Sequence, residues 1–430
     1  MFFPYSFTTI GDYAFLGCGF ESIIIPDGVS TIGAFAFWDN SNLTNVIMPN
    51  SVTEIGVNTF SDGVKLTKIG TYNDFSYSIN ITEQKVTITG YTGTETEIEI
   101  PSEINGCPVT SIGDFAFQYS TVTNVIIPNT ATHIGREAFA DSALINIEIP
   151  DSVTYIARRA FGFTKIEKIV IPDSVTYLGP SALCDCRYLT EVTLSNNISS
   201  LEGNLFGGSY SLIKVVIPNS VTSIKGRIFL PGDNIEEIIL SDNIEVIPQN
   251  CFQELKKLKR VKLPANLKEI GGSAFRYCDS LENIVIPYKV TTVSAWAFMD
   301  CPNLKSVTLP YNLSNIGEHS LGFTSALAVN DDGNVCGINY FPVEGFTMYA
   351  RMSNPVALNY ANRNGFDYKV ISYGDADLDL DITILDATLI QRYCTSDAEL
   401  NDTQINIADA DKNGILNIND ATAVQRLLVE

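Results

Sequence analysis

The sequence predicts a repeat solenoid with a parallel β-sheet and helical or irregular returns, followed by a small all-α domain. Three observations favour this fold class. The segment that begins at Pro264 recurs from Pro287, a phenylalanine returns at one position of almost every such segment, and two similar acidic loops lie near the C-terminus. A fixed period of this size is typical of proteins built from stacked structural units.

Composition sets the broad class of the protein. The chain has 430 residues, of which 45% are hydrophobic and 18% charged, with a net charge of −22. This length exceeds a single compact core and suits an array with an appended domain. The negative charge argues against nucleic acids and anionic membranes as partners. No apolar run approaches the ~18 residues of a membrane span, so none is predicted.

Proline marks the end of a short strand in most repeats. The steps between equivalent positions are nearly constant, apart from two longer ones that begin at Pro49 and Pro101. Because Pro4 precedes Pro26 by one ordinary step, the N-terminus is expected to lie inside a repeat; no basic segment followed by an apolar one indicates a signal peptide. The repeat positions are Pro4, Pro26, Pro49, Pro101, Pro128, Pro150, Pro172, Ser195, Pro218, Ser241, Pro264, Pro287 and Pro310.

A column of aromatic rings is predicted inside the coil. Leu183 and Leu321 take the place of phenylalanine twice, and Phe117 follows a short insertion at 105–108. The other members are Phe15, Phe37, Phe60, Phe139, Phe161, Phe206, Phe229, Phe252, Phe275 and Phe298. Such regularity predicts stacked rings in neighbouring repeats.

A β-branched run precedes each proline and predicts a strand. The residues one and three before the proline share the buried face. The residues two before it, which we call the outward column, are predicted to face solvent, and seven of the twelve are Ile or Val. This bias fits either an apolar docking surface for a protein partner or the preference of strands for β-branched residues. The outward column comprises Ile24, Ile47, Glu99, Ile126, Glu148, Val170, Thr193, Val216, Ile239, Lys262, Val285 and Thr308.

The residues four before the proline form a polar column. Its side chains suit either a specific partner or a solvated face. They are Asn45, Asn124, Asn146, Lys168, Glu191, Lys214, Glu237, Arg260 and Asn283.

The long step from Pro49 to Pro101 indicates an insertion. Residues 70–100 alternate polar and β-branched residues, with Gly90 and Gly93 as turns, which predicts a β-hairpin or a differently built repeat. The predicted organisation is repeats at 1–69, an inserted β segment at 70–100, repeats at 101–330, a cap at 331–371 and a separate domain at 374–430.

Four cysteines occupy one position of the repeat. Cys18, Cys186, Cys278 and Cys301 each follow a repeat proline at the same distance along the chain. One interpretation is that these cysteines are buried free thiols that fill small spaces in the core. Because neighbouring strands lie about 4.8 Å apart, a disulfide between Cys278 and Cys301 is the alternative.

The repeats resemble the BspA-type leucine-rich repeat family. The resemblance lies in patterns such as IPDSVTYIARRAF and LPANLKEIGGSAFRYCDSLENIVIP, and in the ending EGFTMYARMSNPVALNYANRNGFDYKVI at 344–371. It implies a curved right-handed solenoid of the kind found on bacterial surface and secreted proteins. Members of this family are mostly described as adhesins or interaction modules without catalytic residues.

Two twelve-residue loops, 375–386 and 409–420, carry oxygen side chains at positions 1, 3, 5, 9 and 12. This is the ligand spacing of an EF-hand-like loop, with a carbonyl at position 7, and it predicts two Ca²⁺ ions. Zinc and copper are disfavoured because neither loop contains His or Cys. The predicted ligands are Asp375, Asp377, Asp379, Asp381, Thr383, Asp386, Asp409, Asp411, Asn413, Ile415, Asn417 and Asp420.

Each loop leads into an apolar, helix-like segment, and the pair resembles a type I dockerin. The resemblance implies calcium-dependent binding to a cohesin module of a scaffoldin, in a cellulosome-type assembly for polysaccharide breakdown. Leu380 stands where such loops carry Gly, whereas the second loop keeps Gly414. The cohesin contacts implied by the family are Ile384, Leu385, Gln391, Arg392, Ile418, Asn419, Gln425 and Arg426.

Catalytic signatures are absent from the sequence. The two histidines, His133 and His319, lie in different repeats, and no HExxH, P-loop or dinucleotide-binding pattern occurs. The sequence therefore predicts a non-catalytic extracellular protein, secreted or associated with a scaffold or cell surface. Its solenoid would bind a protein, a cell surface or plant-wall material. The alternatives are a solenoid that acts as a passive spacer and an unrecognised glycoside hydrolase that uses paired carboxylates.

Overall fold

The computed structural model describes residues 7–230, 233–329, 335–350, 354–376, 382–400, 402–410 and 415–429. The chain divides into two compact units, residues 1–182 and 183–430.

Unit 1 consists of short strands. Most have two or three residues, and the longer ones lie chiefly in the inserted segment. They are β1 (Thr9–Ile10), β2 (Ser22–Ile24), β3 (Thr31–Ile32), β4 (Asn45–Pro49), β5 (Glu54–Ile55), β6 (Lys65–Tyr72), β7 (Phe75–Asn80), β8 (Lys85–Tyr91), β9 (Glu97–Glu99), β10 (Glu103–Ile104), β11 (Cys107–Ile112), β12 (Asn124–Ile126), β13 (His133–Ile134), β14 (Asn146–Glu148), β15 (Tyr155–Ile156), β16 (Lys168–Val170) and β17 (Tyr177–Leu178).

Two parallel ladders run through unit 1. The strands before each proline pair in register, as Val125 of β12 does with Ile147 of β14. The two-residue strands after it form the second ladder, in which Ile134 of β13 pairs with Ile156 of β15. The constant length of the repeat thus places each side chain beside its equivalent in the next repeat.

The inserted segment forms an antiparallel meander. Strand β7 pairs antiparallel with β6 and with β8. Outside it, β6 continues parallel to β4, and β8 is parallel to β11. The meander therefore joins the ladder before the proline to the ladder after it in one sheet of order β17-β15-β13-β11-β8-β7-β6-β4-β2.

The predicted aromatic column lies in the core of each unit. In unit 1, Phe117 stacks on Phe139 with ring centroids 5.0 Å apart. In unit 2, Phe275 stacks on Phe298 at 5.0 Å. These rings are buried together with the Ile, Val and Leu residues that flank each proline, which confirms the column.

The returns of the solenoid are chains of turns, and no helix is present in the described residues before 355. The helical alternative is therefore wrong for this part of the chain. The N–H groups of Glu137, Phe139 and Asp141 donate to carbonyls of the following repeat at 2.9–3.0 Å, so they are not available for helical bonds. Glu137 and Asp141 adopt φ of 54° and 57°, which bends the chain at each side of the phenylalanine.

Unit 2 repeats the same plan. Its strands are β18 (Glu191–Thr193), β19 (Ser200–Leu201), β20 (Lys214–Val216), β21 (Ser223–Ile224), β22 (Glu237–Ile239), β23 (Val246–Ile247), β24 (Arg260–Lys262), β25 (Glu269–Ile270), β26 (Asn283–Val285), β27 (Thr292–Val293), β28 (Ser306–Leu309), β29 (Asn315–Ile316), β30 (Phe323–Val329), β31 (Val335–Pro342), β32 (Thr347–Ala350) and β33 (Asp367–Val370). Strands β30 and β31 form an antiparallel hairpin, whereas β32 and β33 extend the parallel ladder beyond β28.

Helix α1 (Pro355–Asn364) packs against the last repeats of unit 2. Its N-cap, Asn354, accepts from the N–H groups of Val356 and Ala357 at 2.9 Å. The same side chain donates to the carbonyls of Tyr311 and Leu313 at 2.8 and 2.9 Å. One buried amide therefore both begins the helix and fixes it to the solenoid.

Three further helices follow, α2 (Ile384–Cys394), α3 (Asp402–Ala408) and α4 (Ile418–Leu427). Helices α2 and α4 pack against each other, and α3 lies against β26. Their shared core contains Ala387 and Ile390 of α2 with Ala421 and Val424 of α4. Ala421 and Val424 stand at the positions of the second segment that Ala387 and Ile390 hold in the first, so the two loop-helix segments bury equivalent faces.

The cysteine column consists of free thiols. Cys278 and Cys301 are buried, and each donates its thiol hydrogen to a phenylalanine carbonyl, Phe252 at 3.4 Å and Phe275 at 3.1 Å. Burial raises the pKa of the Cys278 thiol, and the neighbouring Cys301 raises it further. The structure supports the filler alternative. Cys186 is likewise buried, whereas Cys18 in the first repeat is exposed.

Candidate functional site

The first acidic loop is closed by a carboxylate at its last position. Asp386 is fully buried. It accepts from the N–H of Ala376 through Oδ1 and from the N–H of Thr383 through Oδ2, both at 2.7 Å. These bonds bring position 12 of the loop next to position 2. Thr383 also caps α2 by accepting from the N–H of Leu385, which completes a capping box.

The second loop repeats this arrangement. Asp420 is fully buried and accepts from the N–H of Asn417 at 2.8 Å. Asn417 caps α4 by accepting from the N–H of Asn419, and its amide donates to the carbonyl of Ile415 at 2.8 Å. The last carboxylates of the two loops therefore occupy matching sites at the N-termini of two packed helices.

The donor set fits a hard cation, since every side-chain candidate is an oxygen ligand. Asp375 is fully buried beside the closed end of its loop. Asp377, Asp379, Asp381, Asp411 and Asn413 lie outside the described residues, as do Leu380 and Gly414. Among the residues that are described, no three Asp, Glu, His or Cys side chains converge on one point.

The residues proposed to contact a cohesin lie on the surface. Ile384, Leu385 and Ile418 expose 56%, 62% and 52% of their area, high values for aliphatic side chains. Asn419, Gln425, Arg426 and Arg392 are also on the surface, exposed or half-buried, and Gln391 is half-buried. The guanidinium of Arg392 donates to the carbonyl of Asp397 at 3.1 Å. The two loop-helix segments thus present similar apolar and cationic groups.

Most of the outward column is exposed or half-buried, but it is not a continuous apolar surface. Ile126 is 61% exposed, and its partners on both sides are Glu99 and Glu148. In unit 2, Val216 and Ile239 are adjacent, and Lys262 follows. Apolar members therefore occur singly or in pairs, so strand preference explains this column better than a docking surface does.

The prediction for Thr308 is wrong. This member of the outward column is 1% exposed. Its strand, β28, lies between β26 and β32, where Thr308 pairs with Val285 and Tyr349. Helix α3 lies against β26, so the C-terminal region covers this end of the column.

Side chains of the polar column contact one another across neighbouring strands. Asn146 donates to Asn124 at 3.0 Å in unit 1, and Lys214 pairs with Glu237 at 2.9 Å in unit 2. Arg260 lies 4.0 Å from the same Glu237. Such contacts between neighbouring strands explain the pattern as a solvated face.

One surface of unit 1 was not predicted from the sequence. Equivalent positions of β13, β15 and β17 carry His133, Tyr155 and Tyr177, and their rings stack with centroids 5.5 and 4.7 Å apart. Tyr155 and Tyr177 close the same DSVTY sequence, at 151–155 and 173–177, but other residues hold this position in most repeats. The constant spacing of the repeats was the available signal.

Comparison with known proteins settles the class of the repeats. The family described as BspA type leucine rich repeat region matches in six copies over residues 1–104, 110–231 and 229–340. The chain belongs to the BspA-type leucine-rich repeat family. This result confirms the leucine-rich repeat solenoid, whereas the match ends before the acidic loops.

Several solved leucine-rich repeat and surface proteins are similar at low identity. The pneumococcal vaccine antigen PcpA is 17% identical, covers 70% of this chain and 98% of its own, and has a TM-score of 0.38. A leucine-rich cell surface protein from Faecalibacterium prausnitzii A2-165 is 20% identical over 58% and 94%, with a TM-score of 0.33. The T. pallidum leucine-rich repeat protein is 24% identical over 49% and 90%, with a TM-score of 0.37. No curated protein matches the chain.

The helices of the chain are short. Within the described ranges, the structure contains no helix with the length and apolar character that crossing a membrane requires.

Proposed function

We propose that this BspA-type protein is a non-catalytic extracellular interaction protein that is anchored by its C-terminal region. Residues 374–430 would act as a dockerin, bind two Ca²⁺ ions and attach the chain to a cohesin of a scaffoldin. The solenoid would bind a separate protein or surface ligand. Leucine-rich repeats supply a regular surface without a deep catalytic pocket, which suits binding.

The proposal rests on the buried carboxylate at the last position of each acidic loop. Asp386 and Asp420 are both fully buried, and both complete a capping box at the N-terminus of a helix. A buried carboxylate is costly unless hydrogen bonds or a cation stabilise it. Two such groups, each at the last position of an acidic loop, support a pair of cation sites.

The exposed residues at the start of α2 and α4 support the proposed partner. Ile384 and Ile418 begin α2 and α4 and are more than half exposed. Arg392 and Arg426 lie in the last turns of these helices. The near repetition would let one protein partner bind either segment, because the helices present equivalent side chains.

Calorimetry of the full chain against a panel of type I cohesins tests the proposal. We expect binding in calcium and no binding in EDTA. Asp420→Ala should weaken binding, because it removes a predicted ligand and the carboxylate that completes the capping box of α4. Asp367→Ala, at an exposed position of β33 and outside the predicted cohesin contacts, is the matched control. Calcium-independent binding, or none to any cohesin, would contradict this assignment.

A further inference from the structure

We propose that unit 1 carries a binding groove for an acidic polysaccharide, formed by the ring column His133–Tyr155–Tyr177 and by Arg136 and Arg158. The groove has a volume of about 710 Å³ and lies on the strands that follow the repeat prolines. None of its lining residues belongs to the outward column or to the C-terminal loops.

The two walls of the groove come from positions three residues apart in each repeat. One wall is the ring column, in which His133 is exposed and Tyr155 and Tyr177 expose 38% and 37% of their area. The three rings stack on one another, with centroids 5.5 and 4.7 Å apart, so the faces between them are covered. Ser111 continues this wall on β11. The wall thus offers a row of hydrogen-bonding groups, one for each repeat.

The second wall supplies positive charge in a strongly acidic chain. Arg136 and Arg158 are exposed and hold equivalent positions in neighbouring repeats. Arg136 lies 3.4 Å from Asp114 and over the ring of Phe115. In the described part of the chain, the guanidinium of Arg158 has no ion-pair partner. A guanidinium binds carboxylates through paired hydrogen bonds, so the groove suits a ligand with carboxylate groups.

The floor of the groove favours a polysaccharide over an acidic peptide. Ile112, Ile134 and Ala157 line the groove but are buried, and Pro180 is half-buried, so the groove exposes no large aliphatic anchor. An amphipathic helical peptide needs a hydrophobic groove for its apolar side chains. The backbones of β11, β13 and β15 are paired on both sides, so a peptide cannot join them as a further strand. A polymer of identical acidic sugars would instead meet the same groups in successive repeats.

Binding of polygalacturonate to the full chain tests the groove. The assay contains EDTA, so that neither the C-terminal loops nor calcium held by the polymer contributes. We expect binding that weakens with added salt, because charges near the surface are screened. A neutral galactan and polyglutamate should bind much more weakly.

Two variants locate the binding site. Arg158→Glu should weaken binding at least about tenfold. It removes the hydrogen bonds from the guanidinium to a carboxylate, and losing a hydrogen bond to a charged group raises the dissociation constant by about this factor. Tyr155→Phe keeps the ring stack and should weaken binding by roughly fivefold through the lost hydroxyl. Lys165→Glu and Tyr119→Phe, at exposed positions of unit 1, are the matched controls.

Other results would overturn the proposal. These are equal binding of the galactan, equal or tighter binding of polyglutamate, unchanged binding by Arg158→Glu, or no binding of polygalacturonate. Circular dichroism of each variant shows whether it is folded. Since cohesin binding is measured in calcium and this binding in EDTA, failure of one leaves the other intact.

Discussion

At the scale of single residues, the aromatic column contributes most to the core. Phe275 is fully buried, and its ring lies 5.2 Å from that of Phe252 and 5.0 Å from that of Phe298. Phe275→Ala should therefore lower the free energy of unfolding by about 3–5 kcal/mol. Phe275→Leu should cost less, because Leu183 is fully buried at the equivalent position.

Urea denaturation of the two variants measures this difference. Tyr288→Ala, which removes a ring that is 54% exposed, serves as the control. If Phe275→Ala proved no more destabilising than Tyr288→Ala, the column would not be a main source of stability.

Asp233 makes the stability of unit 2 depend on pH. It accepts from the N–H groups of Leu230 and Gly208 at 2.8 and 3.1 Å, and burial raises its pKa from 3.8 to about 6. The folded state therefore holds this proton more tightly than the unfolded state does. The contribution to stability is present below about pH 4 and declines as the pH rises through about 6.

Asp233→Asn removes this titration. Between about pH 4.5 and pH 7, we expect the melting temperature of the wild type to fall relative to that of the variant. The variant should lack the destabilising component at the higher pH. Asp27→Asn, in an exposed turn, should behave like the wild type. Identical pH profiles for the wild type and Asp233→Asn would show that this carboxyl does not titrate in that range.

The sequence predicts residue environments well where the repeat alone determines them. The phenylalanine column and the alternation around each proline follow from period and strand geometry. Thr308 departs because α3, distant in sequence, lies against the neighbouring strand β26. The stacked rings of His133 and Tyr155 form a groove through register, which a single repeat does not reveal.

At the scale of elements, the cap helix α1 depends on one side chain. Asn354 is 2% exposed, and its side chain makes four hydrogen bonds, two to the start of α1 and two to carbonyls of the last repeat. Asn354→Ala should cost about 2–3 kcal/mol, since it removes a helix cap and leaves buried carbonyls without their donor.

Thermal denaturation and hydrogen exchange of α1 check this expectation. Asn315→Ala, on the exposed side of β29, is the control. If Asn354→Ala melted like the wild type and α1 kept its protection, other contacts would hold the cap.

Local sequence predicted the helices of the C-terminal region better than it predicted the returns of the solenoid. Helix-like segments were predicted directly after the loops at 375–386 and 409–420. The helices α2 and α4 are present but begin at Ile384 and Ile418, within the last three positions of each loop. The returns were harder to assign, because an Ala-Phe segment suits a helix or a turn equally. Hydrogen bonds between repeats, such as the one from the N–H of Phe139 to the carbonyl of Ala160 at 2.9 Å, stabilise the turn conformation.

At the scale of the whole molecule, each repeat bonds chiefly with its neighbours. Stability in such a protein is approximately a sum over repeats and the interfaces between them. Removing one complete repeat should therefore preserve the fold, because the flanking repeats offer the same contacts. In unit 1, residues 128–149 form one period, from Pro128 to the residue before Pro150, and contain β13 and β14.

Deletion of residues 128–149 should give a folded protein. Pro150 would take the place of Pro128, Ile156 would pair with Ile112, and Phe161 would stack on Phe117. We expect the wild-type circular dichroism spectrum with a lower melting temperature, because one repeat and its interface are lost. Deletion of 128–138, half a period, should instead aggregate, since it shifts every later side chain out of its column. Equal loss of structure in both proteins would show that the repeats are not interchangeable and that unit 1 folds as one specific whole.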